Sequence, residues 1–197
     1  MNMKNIIFDF GNVLVQWHPE LVYGEYFGDE AKAWWFLRHV ADMDFRQRID
    51  AGESNAKCIA EQQARFPEYS EAIALYHSKW REMLTDEVPG MREMLCQLSA
   101  ANYQLYGLTN WSMETFPEAR EHFGILQMID RYVVSGAEGL VKPDPRLFQV
   151  LLDRYSLKAE ECTFVDDNPD NVAAARKMGM RGIVFTNAEN LRKEFVL

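Results

Sequence analysis

Residues 5–14 read Asn5-Ile6-Ile7-Phe8-Asp9-Phe10-Gly11-Asn12-Val13-Leu14. A short apolar run ends abruptly on a carboxylate, and a Gly-Asn pair follows. Such a run suits a strand of a parallel sheet that is covered on both faces. Asp9 then falls at the strand's carboxyl end, where open α/β sheets bind their ligands. Three more runs share this character: 104–108 (QLYGL), 162–165 (CTFV) and 182–185 (GIVF), with 132–134 (YVV) a shorter fifth.

Helical patterns lie between these runs. Met91, Met94, Leu95 and Leu98 share one face of a helix over 91–100, and Leu147, Val150, Leu151 and Tyr155 do so over 145–155. Asp144 and Pro145 supply a cap and a first helical residue for the latter. A helix over 170–178 follows Pro169 and stops at Gly179. Strand and helix alternate, so the fold class is α/β, a doubly wound Rossmann-like parallel sheet. The rhythm fails once. From Gln16 to Val88 the pattern is helical throughout, with helices expected over 31–40, 55–65 and 69–84. We read 16–88 as an inserted helical cap that hangs over the strand ends, and 1–15 with 89–197 as the α/β core.

The chain has 197 residues, enough for one buried core plus an insertion. Its net charge of −9 disfavours a nucleic-acid partner but leaves room for a small anionic substrate in a local cationic pocket. Cys58, Cys96 and Cys162 match no metal spacing and read as reduced thiols. The opening MNMKNIIFDF fits neither a signal peptide nor a membrane span. The expectation is a cytoplasmic protein with no membrane partner, either monomer or homodimer.

If the sheet is parallel, its loops bring Asp9, Thr109-Asn110, Lys142 and Asp166-Asp167 to one rim. Crowded carboxylates repel in a low-dielectric cleft, and a hard divalent ion such as Mg²⁺ relieves that crowding. Lys142 would balance Asp9 and hold a phosphoryl oxygen, and a carboxylate can act as nucleophile toward phosphorus.

In order and spacing, Asp9-Phe10-Gly11-Asn12-Val13-Leu14, Leu108-Thr109-Asn110, Lys142-Pro143 and Val165-Asp166-Asp167-Asn168-Pro169-Asp170-Asn171 resemble the four motifs of the haloacid dehalogenase-like hydrolase superfamily. The insertion sits where that superfamily carries its type 1 cap. Within it, the first and fourth motifs are most similar to the α-D-glucose-1-phosphate phosphatase branch. The resemblance implies a Mg²⁺-dependent phosphatase acting on a small phosphorylated metabolite, a sugar phosphate, through an aspartyl-phosphate.

It implies roles as well. Asp9 would be nucleophile and metal ligand, with the Gly11 carbonyl and Asp167 as further ligands and Asp166 in or near the shell. Thr109 and the Asn110 main chain would hold the phosphoryl group, Lys142 would neutralise it, and Asn171 would orient Asp167 or Lys142. Asn12 would shape the loop. One position departs from the pattern: relatives carry a second Asp two residues past the nucleophile as general acid, and here that residue is Gly11. His18 is the candidate substitute. Arg46, with Arg38 and Arg48, could meet anionic groups of the substrate, and Trp17 or Trp111 could stack on a sugar. Two alternatives stand beside this reading: a non-catalytic binding protein retaining the fold, suggested by Gly11, and a metal-independent 2-haloacid dehalogenase, against which Asp166-Asp167 argues.

Overall fold

The computed structural model describes residues 4–195. In chain order the elements are β1 (Asn5–Phe8), β2 (Val15–Trp17), α1 (Pro19–Phe27), α2 (Glu30–His39), α3 (Met43–Asp50), α4 (Asn55–Arg65), α5 (Ser70–Ser78), β3 (Leu84–Glu87), α6 (Met91–Ala100), β4 (Gln104–Thr109), α7 (Phe116–His122), β5 (Tyr132–Val134), α8 (Ser135–Glu138), α9 (Pro145–Tyr155), β6 (Cys162–Asp166), α10 (Pro169–Lys177), β7 (Arg181–Val184) and α11 (Ala188–Arg192). Single 3₁₀ turns occupy Pro67–Tyr69, Trp80–Met83, Gly124–Met128 and Ala159–Glu161.

Five strands form one sheet in the order β5-β4-β1-β6-β7, with every neighbouring pair parallel. Parallel neighbours need crossovers, and helices supply them on both faces. On one face Ile6, Phe8 and Val165 pack against α6, α7 and α11 through residues such as Met94, Leu98, Phe116 and Leu191. On the other, Ile7, Leu108 and Phe164 pack against α9 and α10 through Leu147, Phe148, Leu151 and Val172. The expected doubly wound α/β fold is the observed one.

The long connection between β1 and β4 builds a third apolar cluster of its own. Tyr23, Phe36, Leu37, Phe45, Ile49, Cys58 and Ile73 meet there from α1 to α5. This segment is not helical throughout, contrary to expectation. β2 and β3 pair antiparallel, Val15 opposite Glu87 and Trp17 opposite Leu84, as a two-stranded stem where the chain leaves and returns. The return of the chain beside its own departure creates that pairing, so neither three- or four-residue strand shows a period by itself. For the same reason the helix expected over 69–84 is shorter. α5 ends at Ser78, a 3₁₀ turn carries Trp80, and β3 begins at Leu84. Helices α1 and α3 fall inside the stretch read as helical but outside the three helices placed there, and α7, α8 and α11 lie where none was expected.

Elsewhere the reading and the structure agree closely. α4, α6 and α9 begin and end where the sequence places them, Asp144 caps α9 by accepting from the Arg146 amide, and Gly179 follows α10 with φ +95°. β7 is offset by one residue. No helix among the described residues is long and apolar enough to cross a membrane.

Gly107, in the middle of β4, is required by a close approach rather than by a turn. A Cβ there would run into the Phe10 ring, which stacks on Phe116 at 6.0 Å. Gly107→Ala should therefore cost about 1–3 kcal/mol through overpacking. A fall in the urea midpoint at unchanged slope checks this.

Candidate active site

Strand register assembles the site. Phe8 is level with Gly107 on one side and Val165 on the other, so Asp9, Leu108 and Asp166 come next at the same height. The ladder continues through Asp9, whose amide donates to the Val165 carbonyl at 2.9 Å. Side chains alternate along a strand. Asp9 and Asp166 therefore share a face with Ile7, Leu108 and Phe164, beyond the last apolar layer.

Lys142 reaches this face from the loop between α8 and α9 and is buried completely along its side chain. Its ammonium donates to the Leu108 carbonyl at 2.8 Å and to Asp166 Oδ2 at 2.7 Å, and lies 2.9 Å from Asp9 Oδ1. Those partners account for all three of its N–H donors. The Asn110 side chain clamps the lysine's main chain: Oδ1 accepts from the Lys142 amide at 2.8 Å and Nδ2 donates to its carbonyl at 3.0 Å. Asp166 also accepts from the Asn168 amide and from Asn171 Nδ2, at 2.8 Å and 3.1 Å. Asn171 thus orients Asp166, not Asp167 or Lys142 as the sequence suggested.

Burial pushes the Asp9 carboxyl up to about 7. Asp166 and Asp167 add to that, and Lys142 opposes it. Asp167 is raised as well, by burial and by Asp166. Burial works against the Lys142 charge, but Asp9 and Asp166 outweigh it and hold its pKa above the ordinary value. One oxygen each from Asp9, Asp166 and Asp167 lie within 4.8 Å of one another. Asn12, left-handed at φ 55°, donates to Asp167 Oδ2 at 3.2 Å and accepts from the Trp17 amide at 3.0 Å, tying the loop after β1 to the stem. Asparagine tolerates that backbone region better than most residues.

A cleft of about 270 Å³ opens over these groups. Asp9, Gly11, Asn12, Asp167 and Asn171 form its base, and Asn110, Trp111, Ser112 and Thr115 contribute from the segment after β4. Trp17, Arg46, Ile49, Tyr76, Trp80 and Leu84 face it from the stem and the helical insertion. The Thr109 hydroxyl, at the end of β4, is buried without a hydrogen-bond partner. Trp111 and Arg46 are in the lining. His18 is not: its Nδ1 sits 2.8 Å from Glu20 Oε1 at the start of α1. Arg48 is engaged by Glu53 and Glu61, and Arg38 lies over the Trp34 ring. Asp50, absent from the sequence reading, also lines the cleft. One signal was available: an acidic residue closing a helix opposes the macrodipole.

The family model of haloacid dehalogenase-like hydrolases matches residues 6–185. The chain belongs to this family. A haloacid dehalogenase family enzyme of Bacteroides thetaiotaomicron shares the fold, with a TM-score of 0.74 at 17% identity over 98% of this chain and 99% of its own, in a solved complex with magnesium and inorganic phosphate. The sesquiterpene phosphatase astK of Aspergillus oryzae is 25% identical over 94% of this chain and 91% of its own length. Drimenol cyclase drtB of Aspergillus calidoustus is 31% identical over 52% of this chain, which spans only 19% of that longer protein.

In this haloacid dehalogenase-like hydrolase the crowded carboxylates should trade stability for the site. Asp9 has a folded-state pKa above its ordinary value, so the folded protein holds the extra proton. Stability therefore declines as pH rises from about 4 to about 7, and the whole cost stands above that window. Asn at this position escapes the cost. With divalent cations chelated, Asp9→Asn should be more stable than the wild type by on the order of 1 kcal/mol or more at pH 8. At pH 4 the two should match, as thermal unfolding at both values will show.

Proposed function

We propose that this family member is a Mg²⁺-dependent phosphatase of a small phosphorylated metabolite, with Asp9 as the nucleophile and an aspartyl-phosphate as the intermediate. The observation that carries the reading is the Asp9–Lys142–Asp166 ion cluster with Asp167 beside it, at the base of a cleft large enough only for a small ligand.

The residues fit the cation. Three carboxylates crowd together against one ammonium, and burial leaves Asp9 short of compensation. Mg²⁺ prefers carboxylate and carbonyl oxygens, water and phosphate. Asp9, Asp167 and the Gly11 carbonyl would hold it. Asp166 is engaged by Lys142, Asn168 and Asn171, so it would stand behind the ligands and support their charge. When bound, the cation withdraws negative charge from the phosphoryl oxygens and from the nucleophile.

The protein's own groups do the rest. An Asp9 oxygen attacks phosphorus, and the bond to the leaving oxygen breaks. Lys142 opposes the burial that raises the Asp9 carboxyl, favouring its charged form, and offsets charge on the phosphoryl group. The unpartnered Thr109 hydroxyl and main-chain amides near Asn110 supply donors to its oxygens. Asn110 fixes Lys142 in place through the clamp on its main chain. The helical insertion serves as a cap that covers the cleft and excludes water.

A sugar phosphate is the finer reading. The indole faces of Trp17 and Trp111 in the cleft wall suit the C–H face of a sugar ring, and Arg46 suits an added anionic group. The relatives support the reaction class, since astK is itself a phosphatase. Cytoplasmic residence completes the proposal, in keeping with unpaired cysteines at 58, 96 and 162.

A panel of sugar phosphates, nucleotides, phospho-acids and p-nitrophenyl phosphate tests this. Phosphate release should require Mg²⁺, stop with chelator, and fall at least ~10³-fold in Asp9→Asn. Beryllofluoride should bind at Asp9. No magnesium-dependent release from any substrate would refute the reading, and chloride release from 2-chloropropionate would replace it with dehalogenation.

A further inference from the structure

When a phosphomonoester is cleaved, the electron pair of the breaking bond goes to the leaving oxygen. An alkoxide is a poor leaving group, so that oxygen needs a proton as it departs. The groups already assigned cannot give one. Asp9 is spent as nucleophile, and the three Lys142 N–H donors are held by Leu108, Asp166 and Asp9. Gly11 has no side chain, although a Cβ built there meets nothing within 4 Å.

Beyond the catalytic cluster, the titratable residues among the described cleft lining are Arg46, Asp50 and Tyr76. A guanidinium does not release its proton at working pH. Burial and Asp50 push the Tyr76 phenol up, away from neutrality. Asp50 remains, and its placement is built rather than incidental. It is the last residue of α3, and its main-chain carbonyl accepts from Ser135 Oγ at 2.5 Å. The same hydroxyl accepts from the Trp111 amide at 2.8 Å, which joins Asp50 to the core loop beyond Thr109-Asn110. Two residues on, Gly52 at φ +90° lies so close to the Gly136 carbonyl that any side chain there would collide with it. These contacts seat the end of α3 on the core. Asp50 lines the cleft, and among the described residues its carboxyl makes no hydrogen bond.

We propose that Asp50 is the acid–base catalyst of this site, protonating the leaving oxygen as Asp9 displaces it. This rests on the phosphatase reading above. In the first half-reaction an Asp9 oxygen bonds to phosphorus, the bond from phosphorus to the leaving oxygen breaks, and the Asp50 proton passes to that oxygen to give an alcohol. In the second, the Asp50 carboxylate takes a proton from water as that water attacks phosphorus. The bond to Asp9 breaks, phosphate leaves, and both carboxyl groups return to their starting states. The sum is ester plus water to alcohol plus phosphate.

The electrostatics suit both directions. Burial pushes Asp50 up to about 7, against the lowering influence of Arg46 on its own helix and Lys142 from the core. Tyr76 faces it from α5, and Asp9 and Asp167 lie in the same cleft from the core. A carboxyl in this range donates and accepts at neutral pH.

Asp50→Asn separates this role from a structural one when two leaving groups are compared with Mg²⁺ present. p-Nitrophenolate departs without a proton, so a burst of one equivalent per enzyme should persist within about tenfold of the wild-type rate, followed by slow turnover as phosphate stays on Asp9. On a hexose phosphate, whose alcohol needs the proton, the rate should fall ~10²–10⁴-fold. The persistent burst also shows that the variant is folded. Equal losses on both substrates in the single-turnover rate of phosphoryl transfer to Asp9, loss of the burst, or a variant as fast as the wild type on the hexose phosphate would each overturn the proposal. Failure of the wild type on both substrates would instead sink the phosphatase reading, and this inference with it.

Discussion

One buried ammonium holds this site together. Lys142 lies against two carboxylates that the sheet register forces to the same height, and removal from water costs each ion several kcal/mol. Direct contacts of 2.9 Å and 2.7 Å offset part of that cost, and further donors reach the same carboxylates. Asn171 and the Asn168 amide donate to Asp166, and the Phe10 amide, 2.7 Å from Oδ1, donates to Asp9. The cluster still carries excess negative charge, which is why Asp9 stays reluctant to ionise. An arrangement that is poor for an isolated fold is well suited to receiving a cation and a phosphoryl group.

The surrounding elements are arranged to keep that cluster rigid. α10 begins directly after β6, capped by Asn168, so the same short segment ends a strand, starts a helix and presents Asp166 and Asp167. Asn110 does for the Lys142 loop what a strand pairing would do, with two hydrogen bonds from one side chain. The insertion is coupled to this frame at separate places: the β2–β3 stem, the Ser135 bond to Asp50, and the bond from the Asn55 amide to Glu114 at 2.9 Å. The walls of the cleft are thereby fixed to its base rather than draped over it.

Much of this was legible in the primary sequence because the relevant physics is local. The five core strands are short apolar runs, and the helices at 55–65, 91–100 and 145–155 carry their apolar stripe and stop signals within their own length. The carboxylates and the lysine were legible because each terminates or follows such a strand. The stem strands were not, since neither three or four residues long has a pattern without its partner. α3 was hidden too, because it carries only two buried apolar residues, Phe45 and Ile49, in an otherwise charged stretch.

Order along the chain, alternation of apolar runs and the residues at their ends were enough by themselves to determine the sheet and to bring Asp9, Lys142 and Asp166 to one rim, because parallel strands with helical crossovers have their carboxyl ends on the same side. Which side chains enter the cleft was decided only in three dimensions. His18 turns to Glu20, while Asp50, remote in sequence from every motif, is seated there by a serine hydroxyl and a contact between two glycines. Those contacts join residues far apart in the chain, and a one-dimensional pattern carries no trace of a distance that only folding closes.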